Sequence, residues 1–97
     1  MEKFMNERIR YLRKRSHMTQ TDLALRMNVT RSGVNAWEMG ISKPTLDNLT
    51  YLSKIFHTTT DYLLGIEQKE VITLTHFSSE EKELILQLIH YIESRHR

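Results

Sequence analysis

Apolar residues recur at three- and four-residue steps along most of the chain, and a hydroxyl or amide side chain stands just ahead of each periodic stretch. That combination predicts short amphipathic helices with capped starts, because a side-chain oxygen satisfies backbone N–H groups that the first helical turn leaves unpaired. Asn6 is expected to cap a first helix that has Ile9 and Leu12 inward and ends near Ser16-His17. Thr19 opens a second helix through a Thr-x-x-Asp pattern to Asp22, with Leu23, Ala24 and Met27 inward. Asn28 tolerates a left-handed backbone and is the expected stop. Thr30 caps a third helix running through Val34 and Trp37 to Glu38, and Gly40 supplies its exit. Thr45 caps a fourth, with Leu46, Leu49, Leu52, Ile55 and Phe56 as its apolar stripe. Thr59 caps a short fifth, holding Tyr62, Leu63 and Leu64 before Gly65.

Beyond Gly65 the pattern changes. Glu70 to Thr75 mixes β-branched and apolar residues without helical period and reads as strand-like. Ser78-Ser79-Glu80-Glu81 then opens a long helix through a Ser-x-x-Glu capping box. Leu84, Ile85, Leu88, Ile89 and Ile92 share one face of that helix, widened by Leu86 and Tyr91. The expected fold is all-α: a five-helix head over residues 6–65, then a tail over residues 66–97 with the strand-like stretch and the long helix.

Composition narrows the function classes. The chain has no cysteine, which excludes a disulfide framework and a thiolate metal site and suits a reducing, cytoplasmic setting. Its N-terminal stretch does not resemble a signal peptide, and no run approaches the ~20 apolar residues of a membrane span. Residues 1–65 carry ten Lys and Arg against six Asp and Glu, whereas residues 66–97 carry four against six. A basic head suits a polyanion. Five histidines, at positions 17, 57, 76, 90 and 96, have no metal-ligand spacing, and no nucleophile, base and acid constellation is visible, so neither an enzyme nor a cofactor is expected.

Two short helices joined by a tight turn, over Thr19 to Glu38, have the lengths of a helix-turn-helix, whose first helix crosses the DNA backbone while the second enters the major groove. Arg8-Ile-Arg-Tyr-Leu-Arg13, Thr19-Gln-Thr-Asp-Leu-Ala24, Val29-Thr-Arg-Ser-Gly-Val34, Trp37-Glu-Met-Gly40, Lys43-Pro-Thr-Leu46 and Asp61-Tyr-Leu-Leu-Gly65, in this order and spacing, resemble the Xre-type phage-repressor family. The resemblance covers residues 6–65. It implies DNA phosphate contacts at Gln20, Lys43 and Thr19, and a salt bridge between Arg13 and Glu38 that ties the first helix to the recognition helix. Trp37 is expected in the core.

With Val34 and Trp37 inward, Thr30, Arg31, Ser32, Asn35 and Ala36 face outward as candidate base readers. Arg can bond guanine bidentately, Asn adenine, and an Ala or Thr methyl can touch the thymine methyl. Gly33 implies a close approach of something to the third helix, whether DNA or a neighbouring element. The resemblance implies a transcriptional regulator, a repressor more often than an activator, bound to a palindromic double-stranded operator. A single helix-turn-helix buries little surface, so a homodimer is expected, with Leu84, Ile85, Leu88, Ile89 and Ile92 as its interface. Two alternatives stay open: the last helix packs back on its own head, or the chain is a protein-interaction module that binds a toxin, a sigma factor or an antirepressor, with DNA binding secondary.

Overall fold

The computed structural model describes residues 2–96, with side chains from Met5 onward; Met1 and Arg97, the outermost residue of the tail, lie outside the described residues. Among these residues there are six helices: α1 (Glu2–Arg15), α2 (Gln20–Met27), α3 (Arg31–Glu38), α4 (Leu46–Ile55), α5 (Thr60–Leu64) and α6 (Ser79–Arg95). None of them is long and apolar enough to cross a membrane.

Threonines start the four short helices. Thr19, Thr30, Thr45 and Thr59 each have extended backbone and accept, through the side chain, the N–H three residues on. At Thr19 the box closes reciprocally, with Asp22 N–H on the Thr19 hydroxyl at 3.0 Å and Thr19 N–H on the Asp22 carboxylate at 2.8 Å. The stops are equally regular. His17, Asn28, Gly40, His57 and Gly65 all have positive φ, between 51° and 83°. In each case the next N–H reaches back five residues: Met18 to Arg13, Val29 to Ala24, Ile41 to Ala36, Thr58 to Ser53 and Ile66 to Asp61, at 2.9–3.1 Å. This is the Schellman closure, which pairs carbonyls that a helix end otherwise leaves exposed.

The five front helices enclose one core. Ile9, Leu12, Leu23, Val34, Leu52 and Leu63 are completely buried at its centre, and Phe56 is nearly so. α2 packs on α3, α1 on α3 and α5, and α4 on α5 and α2. The second and third helices are thereby held on a scaffold made by the other three.

Two sequence expectations are corrected. Asn6 is not a cap: α1 begins at Glu2, Met5 joins the core, and the Asn6 amide donates to the Glu38 carbonyl at 3.3 Å. Nothing in residues 2–5 breaks a helix, so the periodic stretch continues upstream of the amide. Leu46 does not belong to the inward stripe; as the first residue of α4 it lies beyond the edge of the core and is 77% exposed. At Gly33 a Cβ would meet the capping hydroxyl of Thr30 at 3.2 Å, so the N-cap itself favours glycine there.

The stretch after Gly65 is extended, with no strand pairing among the described residues. It forms a strap tied to the outer side of α1. The Arg8 guanidinium lies 4.1 Å over the Tyr62 ring and donates to the Tyr62 carbonyl and, at 2.8 Å, to that of Glu67. Tyr11 donates to the Glu70 carboxylate at 3.0 Å, and Arg15 bonds the same carboxylate and the Phe56 carbonyl. Further on, Thr73 N–H meets the His57 carbonyl at 2.7 Å and Phe77 stacks on the His57 ring at 4.5 Å. α6 then starts at the Ser78–Glu81 capping box. No residue of α6 is buried.

Candidate nucleic-acid interface

α3 has two chemically distinct faces because Val34 and Trp37, spaced by one turn, are drawn into the core with Glu38 behind them. The opposite side of its first turn is solvent: Thr30, Arg31 and Ser32 are exposed. Asn35 and Ala36 follow, half-buried, along the flank. Lys43 is exposed in the loop after the Gly40 stop. Thr19 is exposed and Gln20 half-buried at the start of α2. Among the described residues, no three His, Asp or Glu side chains are grouped to hold a metal ion.

A buried ionic network fixes how this face is presented. Arg13 binds Glu38 bidentately, Nε to Oε2 at 2.6 Å and Nη2 to Oε1 at 2.9 Å, and its Nη1 donates to the Met18 carbonyl at 2.8 Å. The Glu38 carboxylate is completely inaccessible, with Arg10 approaching its Oε1 at 3.5 Å from a half-exposed position. Burial pushes the Glu38 carboxyl upward, but hydrogen bonds from Arg13 and Gln20, the Arg13 charge and Arg10 outweigh it, and the group stays below its usual 4.5. Arg13 is raised in turn, chiefly by its hydrogen bond to Glu38. The pair implied by the family resemblance is therefore present, and it joins the end of α1 to the end of α3.

Gln20 completes the network. Its side-chain nitrogen donates to Asn35 Oδ1 at 3.1 Å and to Glu38 Oε1 at 3.2 Å. An ionised carboxylate requires a donor, which sets the orientation of this amide. Both N–H bonds of Gln20 are thus committed inward, and its outward polar atom is an acceptor. Thr19 is engaged as well, through its N–H and its hydroxyl, with the Asp22 carboxylate, so what the start of α2 turns to solvent includes the backbone N–H groups of its first turn. Asn35 is steered by the same contact, with one lone pair of its oxygen occupied and its own NH2 available.

Sequence reasoning missed the role of several charges. Arg15, which looks like a contributor to the basic field, is held by Glu70 and the Phe56 carbonyl. Arg10 is turned toward Glu38. The Arg8, Tyr11 and Arg15 spacing of three and four residues, on the face beside Ile9 and Leu12, is the signal that α1 has a second partnered face.

Two short helices joined through a left-handed Asn28, the second with an exposed first turn and a locked inner face, make a helix-turn-helix unit. The chain belongs to the Xre-type helix-turn-helix family, whose description matches residues 9–63, more than half of its length. It is 34% identical over 87 residues to the HTH-type transcriptional activator BcrR of Enterococcus faecalis, a match covering 90% of this chain and 41% of that protein. It is 40% identical over 67 residues to the HTH-type transcriptional regulator DicA of Escherichia coli, covering 68% and 50%. It is 37% identical over 62 residues to the 26 kDa repressor protein of Escherichia phage HK022, covering 64% and 26%. The chain spans half or less of the length of these curated relatives.

Proposed function

We propose that this chain is a sequence-specific regulator that binds double-stranded DNA, acting as a repressor on a two-fold symmetric operator as a homodimer. The observation that carries the reading is the first turn of α3, where Thr30, Arg31 and Ser32 stand in solvent on a helix whose other face is immobilised by Val34, Trp37 and Glu38. In the major groove Arg31 pairs with guanine, Asn35 offers its amide to adenine, and Thr30, Ser32 and Ala36 make the smaller contacts to base edges and thymine methyls. Lys43 supplies a point charge to the DNA backbone, and the start of α2, beside Thr19, supplies backbone N–H groups to a phosphate. Gln20 holds Asn35 in place and stands beside the same phosphate. One head reads too few base pairs for a high specificity ratio, and a dimer on half-sites about 34–36 Å apart doubles the reading. The phage HK022 relative bears the name repressor and the Enterococcus faecalis relative the name activator, so the direction of control rests on the family resemblance and not on these names.

The test is selection of bound duplexes from a random pool, followed by titration of the recovered sequence across a range of salt. Arg31→Ala is expected to relax preference at one base pair at a cost of about 1–3 kcal/mol. Lys43→Ala is expected to weaken all sequences alike and to reduce the log–log salt slope by about one. Parent-like binding by both variants would refute the groove assignment. A weak salt slope in the parent would instead favour the protein-interaction reading.

A further inference from the structure

α6 carries 17 residues and buries none of them, yet Leu84 is 64% exposed, Leu88 58% and Ile92 46%. Only Lys82 and Ile85 are even half-buried. At 3.6 residues per turn, Glu81, Leu84, Ile85, Leu88, Tyr91, Ile92 and Arg95 fall within an arc of about 120° centred on Leu88. Their order is reciprocal about that residue. Glu81 and Arg95 are each seven positions from Leu88, Leu84 and Ile92 each four, Ile85 and Tyr91 each three. Reversing the direction of the stripe therefore sets acid on base and apolar on apolar.

We propose that α6 pairs antiparallel with α6 of a second copy of this chain, about a two-fold axis at Leu88, with Glu81 facing the other copy's Arg95 position and Leu84 facing its Ile92 position. Charge decides against the parallel alternative, which would align Glu81 with Glu81, Arg95 with Arg95 and the two helix dipoles with each other. Arg95 lies along the stripe already, its guanidinium donating to the Tyr91 hydroxyl at 2.9 Å, while Glu81 is held at the other end by the Ser78 N–H at 2.7 Å. Length fits as well. A helix of this size spans about 25 Å, so antiparallel pairing sets the two strap ends roughly that far apart, on the scale of the 34–36 Å between half-sites. A parallel pair would bring them within about 10 Å. The inference rests on the regulator reading for its purpose but not for its geometry.

The absence of native cysteine makes the register directly testable in the whole chain. Leu84→Cys and Ile92→Cys are each expected to stay uncrosslinked alone under mild oxidation and to form a mixed disulfide when combined, since facing helix backbones lie within disulfide reach. Sedimentation of the parent is expected to show a dimer, and Leu88→Glu a monomer, with the head still folded because Leu88 is 58% exposed and no residue of α6 is buried. On selected DNA, Leu88→Glu is expected to lose at least tenfold on a duplex with two half-sites and nothing on a single half-site. Self-crosslinking of either cysteine variant alone, or a parent that sediments as a monomer at ~100 μM, overturns the proposal and assigns the face to another partner or to a further segment of a longer chain. A parent that crosslinks as expected but recovers no DNA in selection overturns the regulator reading and leaves the pairing intact.

Discussion

Replacing Glu38 by Ala removes the centre of a buried network, and its cost can be worked from the contacts. The carboxylate accepts two bonds from Arg13, at 2.6 and 2.9 Å, and one from Gln20 at 3.2 Å. Its loss leaves the Arg13 guanidinium, only 10% exposed, with the Met18 carbonyl as its remaining partner. Breaking one side of a buried pair costs about 3–5 kcal/mol, and the surviving carbonyl contact argues for the lower end. Three kcal/mol in a domain of this size lowers the melting temperature by roughly 12–24 °C. Arg13→Met is expected to cost less, because Glu38 keeps Gln20 and Arg10. The double variant Arg13→Met with Glu38→Leu is expected to recover most of the loss, since no charge is then left buried. Circular-dichroism melts of the parent and three variants close the cycle. Acid adds a second readout: the folded Glu38 lies below its usual 4.5, so its contribution is complete above that pH and is lost as pH falls through the lower folded value. A Glu38→Ala chain within about 1 kcal/mol of the parent, or a double variant as unstable as Glu38→Ala, would refute the argument.

The remaining predictions concern the brace, a stop and the strap. Gln20→Ala is expected to weaken DNA binding and to relax preference at the base pair facing Asn35, while the salt slope stays that of the parent because no charge is removed; a reduced slope in filter-binding titrations would contradict this. Gly40→Ala places a Cβ at φ 74° and 3.2 Å from the Asn6 amide, so a loss of about 1–2 kcal/mol is expected in thermal melts. The His57 imidazole is held below its usual 6.5, first by burial and then by the charges of His76, Arg26 and Arg15. The neutral ring is the folded form, so its stacking on Phe77 is complete above that value and weakens as pH falls below it. The protection of the amides over residues 66–77, read as exchange relative to the intrinsic rate at each pH, is expected to fall between about pH 7 and pH 5, and His57→Asn, which still suits the left-handed stop, is expected to abolish that step.

What could be read from the sequence was local. The Thr19–Asp22 and Ser78–Glu81 boxes use partners three residues apart, and Asn28, Gly40 and Gly65 are residues that left-handed backbone selects. His17 and His57 serve the same purpose and went unread as such, although His is enriched among non-glycine residues of positive φ. The strap was illegible for a different reason. Its ties join Arg8 to Glu67 and Tyr11 to Glu70, each 59 residues apart, and alternation of apolar residues cannot tell an extended strap from a paired strand. Leu46 shows the limit of periodicity at a helix end: it keeps the helical phase of Leu49 but lies past the edge of the layer that covers it.

One hydrogen-bonded network ties the core to the residues proposed to read DNA. A continuous path of hydrogen bonds runs from Asn35 through Gln20 to Glu38, then through Arg13 to the Met18 carbonyl just before α2. Both N–H bonds of Gln20 are spent inside, and the Arg13 fork is divided between Glu38 and the Met18 carbonyl. The start of α2 and the flank of α3 are therefore positioned by the same carboxylate, and in the proposed DNA complex this sets the phosphate at the first and the base at the second a fixed distance apart. The separation is a property of the fold and not of either contact alone. In the proposed complex, a chain partly acidified at Glu38 is therefore expected to lose base preference at a higher pH than it loses helix content.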